Sequence, residues 1–159
     1  MSDTEDFPFQ VTGEKREQAL QHCRQTISGW GLTMPPGAPL ALDFGLGRFD
    51  EIGEIEFWVA NEEKSGYCGK FLFVADGQTC PYHKHNRKHE TFFVVKGQVR
   101  MIIDEQEKTL HEGDVLVMPP GQQHSFTGVG PALLLEVSMP SMRQDNFFAD
   151  KRIADNGVM

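Results

Sequence analysis

Short apolar runs of β-strand length dominate the chain after residue 40 and constrain its fold more than any other feature. They cover residues 55–60, 67–75, 90–95, 99–103, 115–118 and 132–138, and glycine, proline, aspartate or glutamine mostly separates them. Successive strands with no helical pattern between them favour a sandwich or a barrel over a parallel α/β sheet. The sequence therefore predicts an all-β fold for this part of the chain.

One helix is predicted ahead of the strands, from about Gly13 to Gly29. Apolar residues recur there at three- and four-residue spacing, which is the period of a helix with one buried face; they are Ala19, Leu20, Cys23 and Ile27. The proline-rich segment 31–39 cannot continue the helix. We expect residues 1–40 to form an arm with this helix, residues 41–153 to form a single-domain β-barrel and residues 154–159 to form a tail.

The composition narrows the classes of partner. A chain of 159 residues that is 39% hydrophobic has the size of one domain with one core. Its formal net charge of −8 argues against a nucleic-acid or anionic-membrane partner, since both need a basic surface. No apolar run reaches the roughly 18 residues of a membrane span, and the acidic residues 1–10 lack the pattern of a signal peptide. The 3 cysteines are scattered, so we expect free thiols and a cytoplasmic protein.

His83, His85 and Glu90 lie in one short turn between two strand-like runs. Residues two apart in an extended chain point to the same side, so the two imidazoles are predicted to share a face, and a short loop can bring the carboxylate beside them. His124, which follows the Pro119–Gly121 turn, is a further candidate ligand. Three neutral imidazoles and a carboxylate suit a divalent Mn, Fe, Co, Ni or Zn ion with positions left open. The alternative is that each histidine is an ordinary surface residue.

The spacing of these residues resembles the two signature motifs of the cupin superfamily. The first motif comprises Gly77, His83, His85, Glu90 and Gly97, and the second comprises Gly113, Pro119, Gly121 and His124. This resemblance implies a jelly-roll-like β-barrel that holds one metal ion through His83, His85, Glu90 and His124. Mn is the expected ion, with Zn, Fe, Co and Ni as alternatives. A metal-free cupin that binds a ligand by shape alone is a further alternative.

Six segments, in the same order along the chain, resemble the bacterial D-lyxose isomerase family of cupins. They are residues 43–47, 77–85, 88–92, 113–126, 134–138 and 145–153. The resemblance implies a metal-dependent aldose–ketose isomerase that converts D-lyxose to D-xylulose, or D-mannose to D-fructose, by proton transfer through a cis-enediol. It also implies a monosaccharide as the small-molecule partner and a homodimer as the assembly.

The resemblance also implies roles for individual residues. The family has a catalytic lysine two places before the ligand glutamate, which corresponds to Lys88, and a catalytic glutamate in a late strand, which corresponds to Glu136. An acid and an arginine of the closing segment correspond to Asp145 and Arg152, which are expected to bind the sugar. The loop before the ligand glutamate and the stretch between the two motifs are shorter than in typical family members. Because these segments shape the mouth of the pocket, the identity of the sugar stays open.

The residues themselves bear on these roles. Glu136 follows three leucines in an apolar strand, where a carboxylate is costly unless it is paired or functional, so we expect a general base. A structural ion pair with Arg152 or Lys88 is the alternative. Lys88 lies in a charged loop and is equally well interpreted as a solvated lysine. Phe92 shares the face of Glu90 and is expected to wall the pocket, with plain core packing as the alternative.

Two rival functions stay open for a cupin with these four ligands. The first is an Fe or Mn oxygenase or decarboxylase that acts on a small acid. The second is a non-catalytic cupin that binds a sugar and leaves it unchanged. Oxygen consumption would distinguish the first rival from an isomerase, and binding without conversion would distinguish the second.

Overall fold

The structure is a computed structural model, and it describes residues 9–153. This part of the chain forms a curled sheet of nine strands and one N-terminal helix. In chain order the elements are α1 (Gly13–Gly29), β1 (Leu40–Leu42), β2 (Glu54–Glu62), β3 (Tyr67–Val74), β4 (Thr79–Lys84), β5 (Glu90–Ile103), β6 (Gln106–Leu110), β7 (Val115–Met118), β8 (His124–Ser138) and β9 (Phe147–Phe148), with a 3₁₀ turn at Arg143–Asp145. The predicted all-β fold with an N-terminal helix is confirmed.

The two long strands β5 and β8 are antiparallel neighbours and carry the rest of the sheet. The C-terminal half of β8 also pairs with β3, which continues the sheet to β2 and β1, while the start of β5 pairs with β7. The N-terminal half of β8 pairs with β4, which continues to β9, while the end of β5 pairs with β6. Register shifts in β5 allow the two halves to curl toward each other as a jelly-roll-like barrel.

Gly97 lies inside β5, at the point where the sequence suggested a break between two strands. Its φ of +78° is a conformation that only glycine adopts readily, and an added Cβ would lie 2.2 Å from the Pro131 carbonyl oxygen. The runs 90–95 and 99–103 therefore form one bent strand rather than the two that were predicted. This bend lets β5 serve both halves of the barrel.

Strand β2 is buried on both of its faces. Ile55 and Phe57 point outward and pack with the buried face of α1 and with Phe73, in a cluster that we name the outer core. Glu54 and Glu56 alternate with them and point into the barrel, where both are buried. Because the helix covers the outer face, charged residues of β2 line the interior of the protein instead of meeting water.

The interior of the barrel is apolar at one end and polar at the other. Val94, Val99, Met101 and Leu110 belong to its apolar core. The domain boundaries predicted from the sequence stay predictions, and both the first eight residues and the tail at 154–159 lie outside the described residues. No helix within residues 9–153 combines the length and the apolar character that crossing a membrane requires.

Candidate active site

Three histidines meet at the polar end of the barrel. His83 on β4 is the direct partner of His124, the first residue of β8, and His85 follows the end of β4. Their candidate ligand atoms all lie within 4.8 Å of one another. Strand pairing thus brings together two motifs that are far apart in the sequence, in the arrangement that the spacing predicts.

Backbone carbonyls fix the tautomer of all three imidazoles. Each Nδ1 donates to a carbonyl oxygen: His83 to Pro81 at 2.7 Å, His85 to Asp145 at 2.9 Å and His124 to Gln122 at 3.1 Å. A carbonyl oxygen only accepts, so each Nδ1 carries the proton and each Nε2 keeps a free lone pair. A hydrogen bond of this kind behind a histidine is the usual companion of metal binding through Nε2.

The Glu90 carboxylate completes the group. Its Oε2 lies 3.0 Å from Nε2 of His85 and 3.7 Å from Nε2 of His124. Two ligands about 2.1 Å from one ion and at right angles to each other are ~3 Å apart, so the shorter separation suits a shared cation. Glu90 Oε2 and His124 Nε2 are buried and have no hydrogen-bond partner within residues 9–153, which a metal ion would supply.

The protonation states also fit a divalent cation. Burial, together with the neighbouring imidazoles, holds the pKa of His83 well below its usual value and also lowers the pKa of His124, so both rings are neutral. Burial by itself would raise the pKa of Glu90, but the Lys88 ammonium and the neighbouring His85 outweigh it and keep that pKa well below its usual range. Neutral imidazoles and an ionised carboxylate are the forms that ligate metals.

Lys88 and Glu136 form an ion pair next to the histidines. Lys88 Nζ lies 3.1 Å from Oε2 of Glu136 and 3.8 Å from Oε1 of Glu90. The lysine is 4% exposed, so its interpretation as a solvated loop residue is wrong. Burial would lower the pKa of Lys88, but the carboxylates of Glu136 and Glu90 raise it overall, so the ammonium stays charged.

The strand register places Glu136 in the middle of the barrel wall. It lies on β8 between Lys70 of β3 and Phe92 of β5, and Ser138 Oγ donates a 3.0 Å hydrogen bond to its Oε2. Its ion-pair partners among the described residues include Lys88 but not Arg152. Phe92 is buried, lines the same cavity and packs against the His124 ring with centroids 5.8 Å apart.

Asp145 has a different environment from the one expected for a sugar ligand. Its carboxylate accepts hydrogen bonds from the backbone N–H groups of Asn86, Arg87 and Lys88, at 2.8 to 3.1 Å, and its carbonyl oxygen accepts from His85. The side chain is buried and is not among the residues that line the cavity. Asp145 therefore holds the loop that carries Lys88 and orients the His85 ring.

Arg152 is not brought to the cavity. Its side chain is 63% exposed and forms an ion pair with Asp150 at 2.7 Å. Arg152 lowers the pKa of Asp150 to about 2 through the hydrogen bonds that it donates to that carboxylate. The sugar contact expected for Arg152 is thus not present in this conformation, because the closing segment turns the guanidinium toward solvent.

The sequence analysis missed three charged residues of the interior: Glu54, Glu56 and Lys70, all buried. Glu54 and Lys70 line the cavity with the histidines, Lys88 and Glu136. Alternation of polar and apolar residues along β2 and β3 was visible, but alternation does not say which face meets water. Helix α1 on the outer face of this sheet was the missing information.

The cavity is narrow, with a volume of about 30 Å³. Glu54, Lys70, Lys88 and Glu136 supply its charged wall, while Phe44 and Phe148 form part of its apolar wall. This space is enough for a water or two but not for a sugar. A larger ligand requires side chains of the wall to move.

Known proteins share this fold and these motifs. The cupin domain family matches residues 70–138. A D-lyxose/D-mannose isomerase of Thermosediminibacter oceani is 30% identical over 140 residues, covering 70% of this chain and 76% of the relative. A D-lyxose ketol-isomerase of a Thermofilum species is 31% identical, with the same coverage of both chains.

Solved structures extend the likeness to nearly the full chain. L-ribose isomerase of Acinetobacter sp. DL28, in complex with L-ribose, has a TM-score of 0.76 and 16% identity, covering 97% of this chain and 98% of that one. L-ribose isomerase of Cellulomonas parahominis has a TM-score of 0.74 and 17% identity, covering 95% and 98%. At these identities the likeness shows the fold, including the helix ahead of the barrel.

Proposed function

The chain belongs to the D-lyxose ketol-isomerase family of the cupins, and we propose that it is a metal-dependent aldose–ketose isomerase that converts D-lyxose to D-xylulose, with D-mannose and D-fructose as a second pair. The observation that carries the proposal is the buried Lys88–Glu136 pair, which lines one cavity together with His83, His85 and Glu90. Isomerisation needs a base for a proton next to a carbonyl, and these residues supply one.

His83, His85, Glu90 and His124 would hold the metal ion, which supplies Lewis-acid polarisation of the sugar carbonyl when bound. Glu136 removes the proton from C2 of the open-chain aldose, which leaves a cis-enediol. Lys88, at 3.1 Å from that carboxylate, donates hydrogen bonds to the oxygen on which negative charge develops. Either Glu136 or Lys88 then delivers a proton to C1, while the hydroxyl proton of O2 passes to O1, so the ketose forms with no external reactant.

A sugar enters this narrow cavity when its wall rearranges. Phe44 and Phe148 line this cavity and offer flat apolar surfaces for the C–H groups of the sugar. Mn is our choice for the ion, because a mixed imidazole and carboxylate set with open positions suits it.

The buried acid–base pair favours an isomerase over the two rival functions. An oxygenase or decarboxylase has no need of a second carboxylate and lysine beside the metal ligands, and a binding protein has no need of a base. The geometry therefore gives no specific support to either rival.

A homodimer stays a prediction, and one surface supports it. Val137 of β8 and Val117 of β7 are both half exposed and are in register with Thr91 of β5 between them. Val115 and Phe93 extend the same outer surface. Equilibrium sedimentation of the chain and of a Val137→Lys variant would test this assembly. The cytoplasmic location also stays a prediction from composition.

The proposed function is tested by product analysis. The protein is loaded with Mn and incubated separately with D-lyxose, D-mannose, D-xylulose and D-fructose, and the products are resolved by chromatography. We expect interconversion of D-lyxose and D-xylulose that stops when a chelator is added and returns when Mn is restored. Bound metal with no conversion of any of the four sugars would contradict the proposal.

A further inference from the structure

A second group of buried ionisable side chains lies at the cavity that His83 and His85 also line. Glu54 and Glu56 lie on the inner face of β2, and Lys70 lies on the neighbouring strand β3; the three are 1 to 5% exposed. Buried ionisable groups cost folding free energy unless they are fully paired or used in function. The proposed proton transfer requires none of the three, so their presence needs its own explanation.

The pairing within this group is incomplete. Lys70 Nζ donates to Oε2 of Glu56 at 3.0 Å and lies 4.6 Å from the centroid of the Trp58 ring. In contrast, three buried atoms have no hydrogen-bond partner within residues 9–153: Oε2 of Glu54, Oε1 of Glu56 and Nε1 of Trp58. Three such atoms in one row of β2 are unusual in a native interior, where buried polar groups are normally paired.

The protonation of Glu54 removes part of this cost. Burial, and then the adjacent Glu56 carboxylate, raise the pKa of Glu54 well above its usual value, which favours the neutral carboxyl over the carboxylate. A neutral carboxyl can donate one hydrogen bond to Glu56 and still accept another from a ligand. With Lys70 paired to Glu56, the group has no net charge, and it presents both donors and acceptors.

Hydroxyl groups of an uncharged ligand match this wall better than an anion or a cation does. Each hydroxyl both donates and accepts, as the group of Glu54 and Lys70 requires. Glu54 and Lys70 face the same cavity as His83, His85 and Glu136, so one molecule can reach both groups. A phosphate at this wall would meet the carboxylate of Glu56 behind Lys70, which disfavours a sugar phosphate.

We propose that Glu54 and Lys70, with Glu56 as the residue that positions the lysine, form the subsite for the sugar hydroxyl groups furthest from the reacting carbons. The inference rests on the isomerase function proposed above and adds to it the residues that select the length and configuration of the sugar. Glu136 and the histidines act at C1 and C2, whereas this second group acts at C4 and C5.

The proposal separates long sugars from short ones. L-glyceraldehyde has the reacting C1–C2 unit of D-lyxose, with the same configuration at C2, but no C4 or C5 hydroxyl. We expect Glu54→Met, which removes both the donor and the acceptor of the carboxyl, to lower kcat/KM for D-lyxose by about 10- to 100-fold, as loss of a buried hydrogen-bond partner does, and to change it less than about threefold for L-glyceraldehyde. Glu62→Met, at the exposed end of the same strand, is the matched control and is expected to change neither value.

An equal loss for both sugars would overturn the proposal, because it would mean that the group acts on the catalytic apparatus and not on the distant hydroxyls. The wild-type protein supplies a second measurement: 5-deoxy-D-lyxose is expected to react about 10-fold less efficiently than D-lyxose. Glu54→Met is expected to make the two sugars nearly equivalent. A preference for D-lyxose that survives unchanged in the variant would also overturn the proposal.

Binding of an inert pentitol distinguishes this inference from the proposed function. D-arabinitol has the hydroxyl chain of a pentose but no carbonyl, so its affinity for the Mn-loaded protein, measured by calorimetry, does not depend on catalysis. We expect Glu54→Met to weaken arabinitol binding about 10-fold relative to the wild type. If the wild type converts no aldose but shows this difference, only the isomerase function fails; if arabinitol binds equally to both proteins, the subsite fails.

Discussion

The outer core and the barrel interior are packed against the two faces of the same strands, and they differ in chemistry. The outer core, between α1 and the sheet, is built from aliphatic, aromatic and thiol side chains such as Leu20, Cys23 and Phe57. The interior contains six buried charged side chains within one cavity or next to it, namely Glu54, Glu56, Lys70, Lys88, Glu90 and Glu136. The outer core stabilises the fold, whereas the buried ionisable groups of the interior lower its stability and serve the proposed function.

Strand β2 shows this division within four residues. Ile55 and Phe57 remove apolar area from water, which contributes roughly 1.5–3 kcal/mol for each large side chain. Glu54 and Glu56, which alternate with these two residues, each have one carboxyl oxygen without a hydrogen-bond partner among the described residues. Substitutions on the outer face are therefore expected to change the free energy of unfolding without changing kcat, whereas substitutions on the inner face are expected to change kcat.

The largest effect is expected for Glu136→Gln. Removal of the general base should lower kcat by about 10²- to 10⁴-fold, because proton transfer by a positioned side chain contributes that much. The free energy of unfolding should also fall, by up to about 3–5 kcal/mol, since the variant removes the carboxylate partner of the buried Lys88 ammonium. Steady-state kinetics and urea unfolding test both statements. A variant that keeps its kcat would show that Glu136 only pairs with Lys88.

Phe57→Ala is the counterpart in the outer core. Loss of the buried ring should lower the free energy of unfolding by about 3–5 kcal/mol, while kcat per folded molecule stays near the wild-type value. Val59→Ala, on the same face of β2 but 58% exposed, is the matched control and should change stability by less than about 0.5 kcal/mol. A loss of kcat in the folded Phe57 variant would remove the distinction between the two faces.

Asp145→Asn tests the link between the closing segment and the metal site. The amide would turn one N–H donor toward backbone N–H groups of the 86–88 loop, so the loop and the His85 ring should lose their fixed position. We expect the Kd for Mn to rise by about 10- to 100-fold, as for other residues that orient metal ligands. Asp150→Asn, which alters only the exposed pair with Arg152, should leave the Kd unchanged. Equal Kd values for Asp145→Asn and the wild type would contradict the role of Asp145.

A smaller effect is expected in the pH dependence of stability. Folded Glu54 keeps its proton at pH values where the unfolded chain, with the ordinary pKa of 4.5, has lost it, because burial and Glu56 raise the folded pKa. The folded state then binds more protons, so its free energy of unfolding falls as pH rises from about 4.5 toward the raised pKa. The charged and titratable groups that face Glu54 are Glu56, Lys70, Glu136 and the Cys80 thiol.

Glu54→Gln removes this dependence. The variant should gain stability relative to the wild type by up to about 1.4 kcal/mol for each pH unit in that window. Urea unfolding of both proteins in chelator between pH 5 and 8 measures the difference, with Glu62→Gln as a control that should run parallel to the wild type. A constant difference between Glu54→Gln and the wild type would show that Glu54 is ionised in the folded chain.

Local spacing was enough to predict which candidate ligands the structure brings together. His83, His85 and Glu90 share a face because they flank one strand end and open the next, and His124 joins them through strand pairing. The period of the buried residues likewise placed α1. In these cases the spacing of a few neighbouring residues is enough to predict the local structure.

The rest depends on packing that no local pattern reveals. Lys88 lies in a charged loop, and only the fold shows that Asp145 binds the loop backbone and directs the lysine to Glu136. The expected sugar contacts of Asp145 and Arg152 rested on resemblance alone, and the structure turns both side chains away from the cavity. Glu54 and Lys70 are buried because α1 covers the opposite face of their sheet, and the alternation along β2 and β3 does not reveal this.

Isomerisation of D-lyxose in D₂O by the Mn-loaded protein tests the central claim most directly. If Glu136 carries the proton through a cis-enediol, solvent deuterium should appear at C1 of D-xylulose and at C2 of recovered D-lyxose, both detected by NMR. The Glu136→Gln variant, with the same metal content, should show neither. D-xylulose formed without solvent deuterium would indicate hydride transfer, and exchange that persists in the variant would assign the base elsewhere; either result would contradict the account.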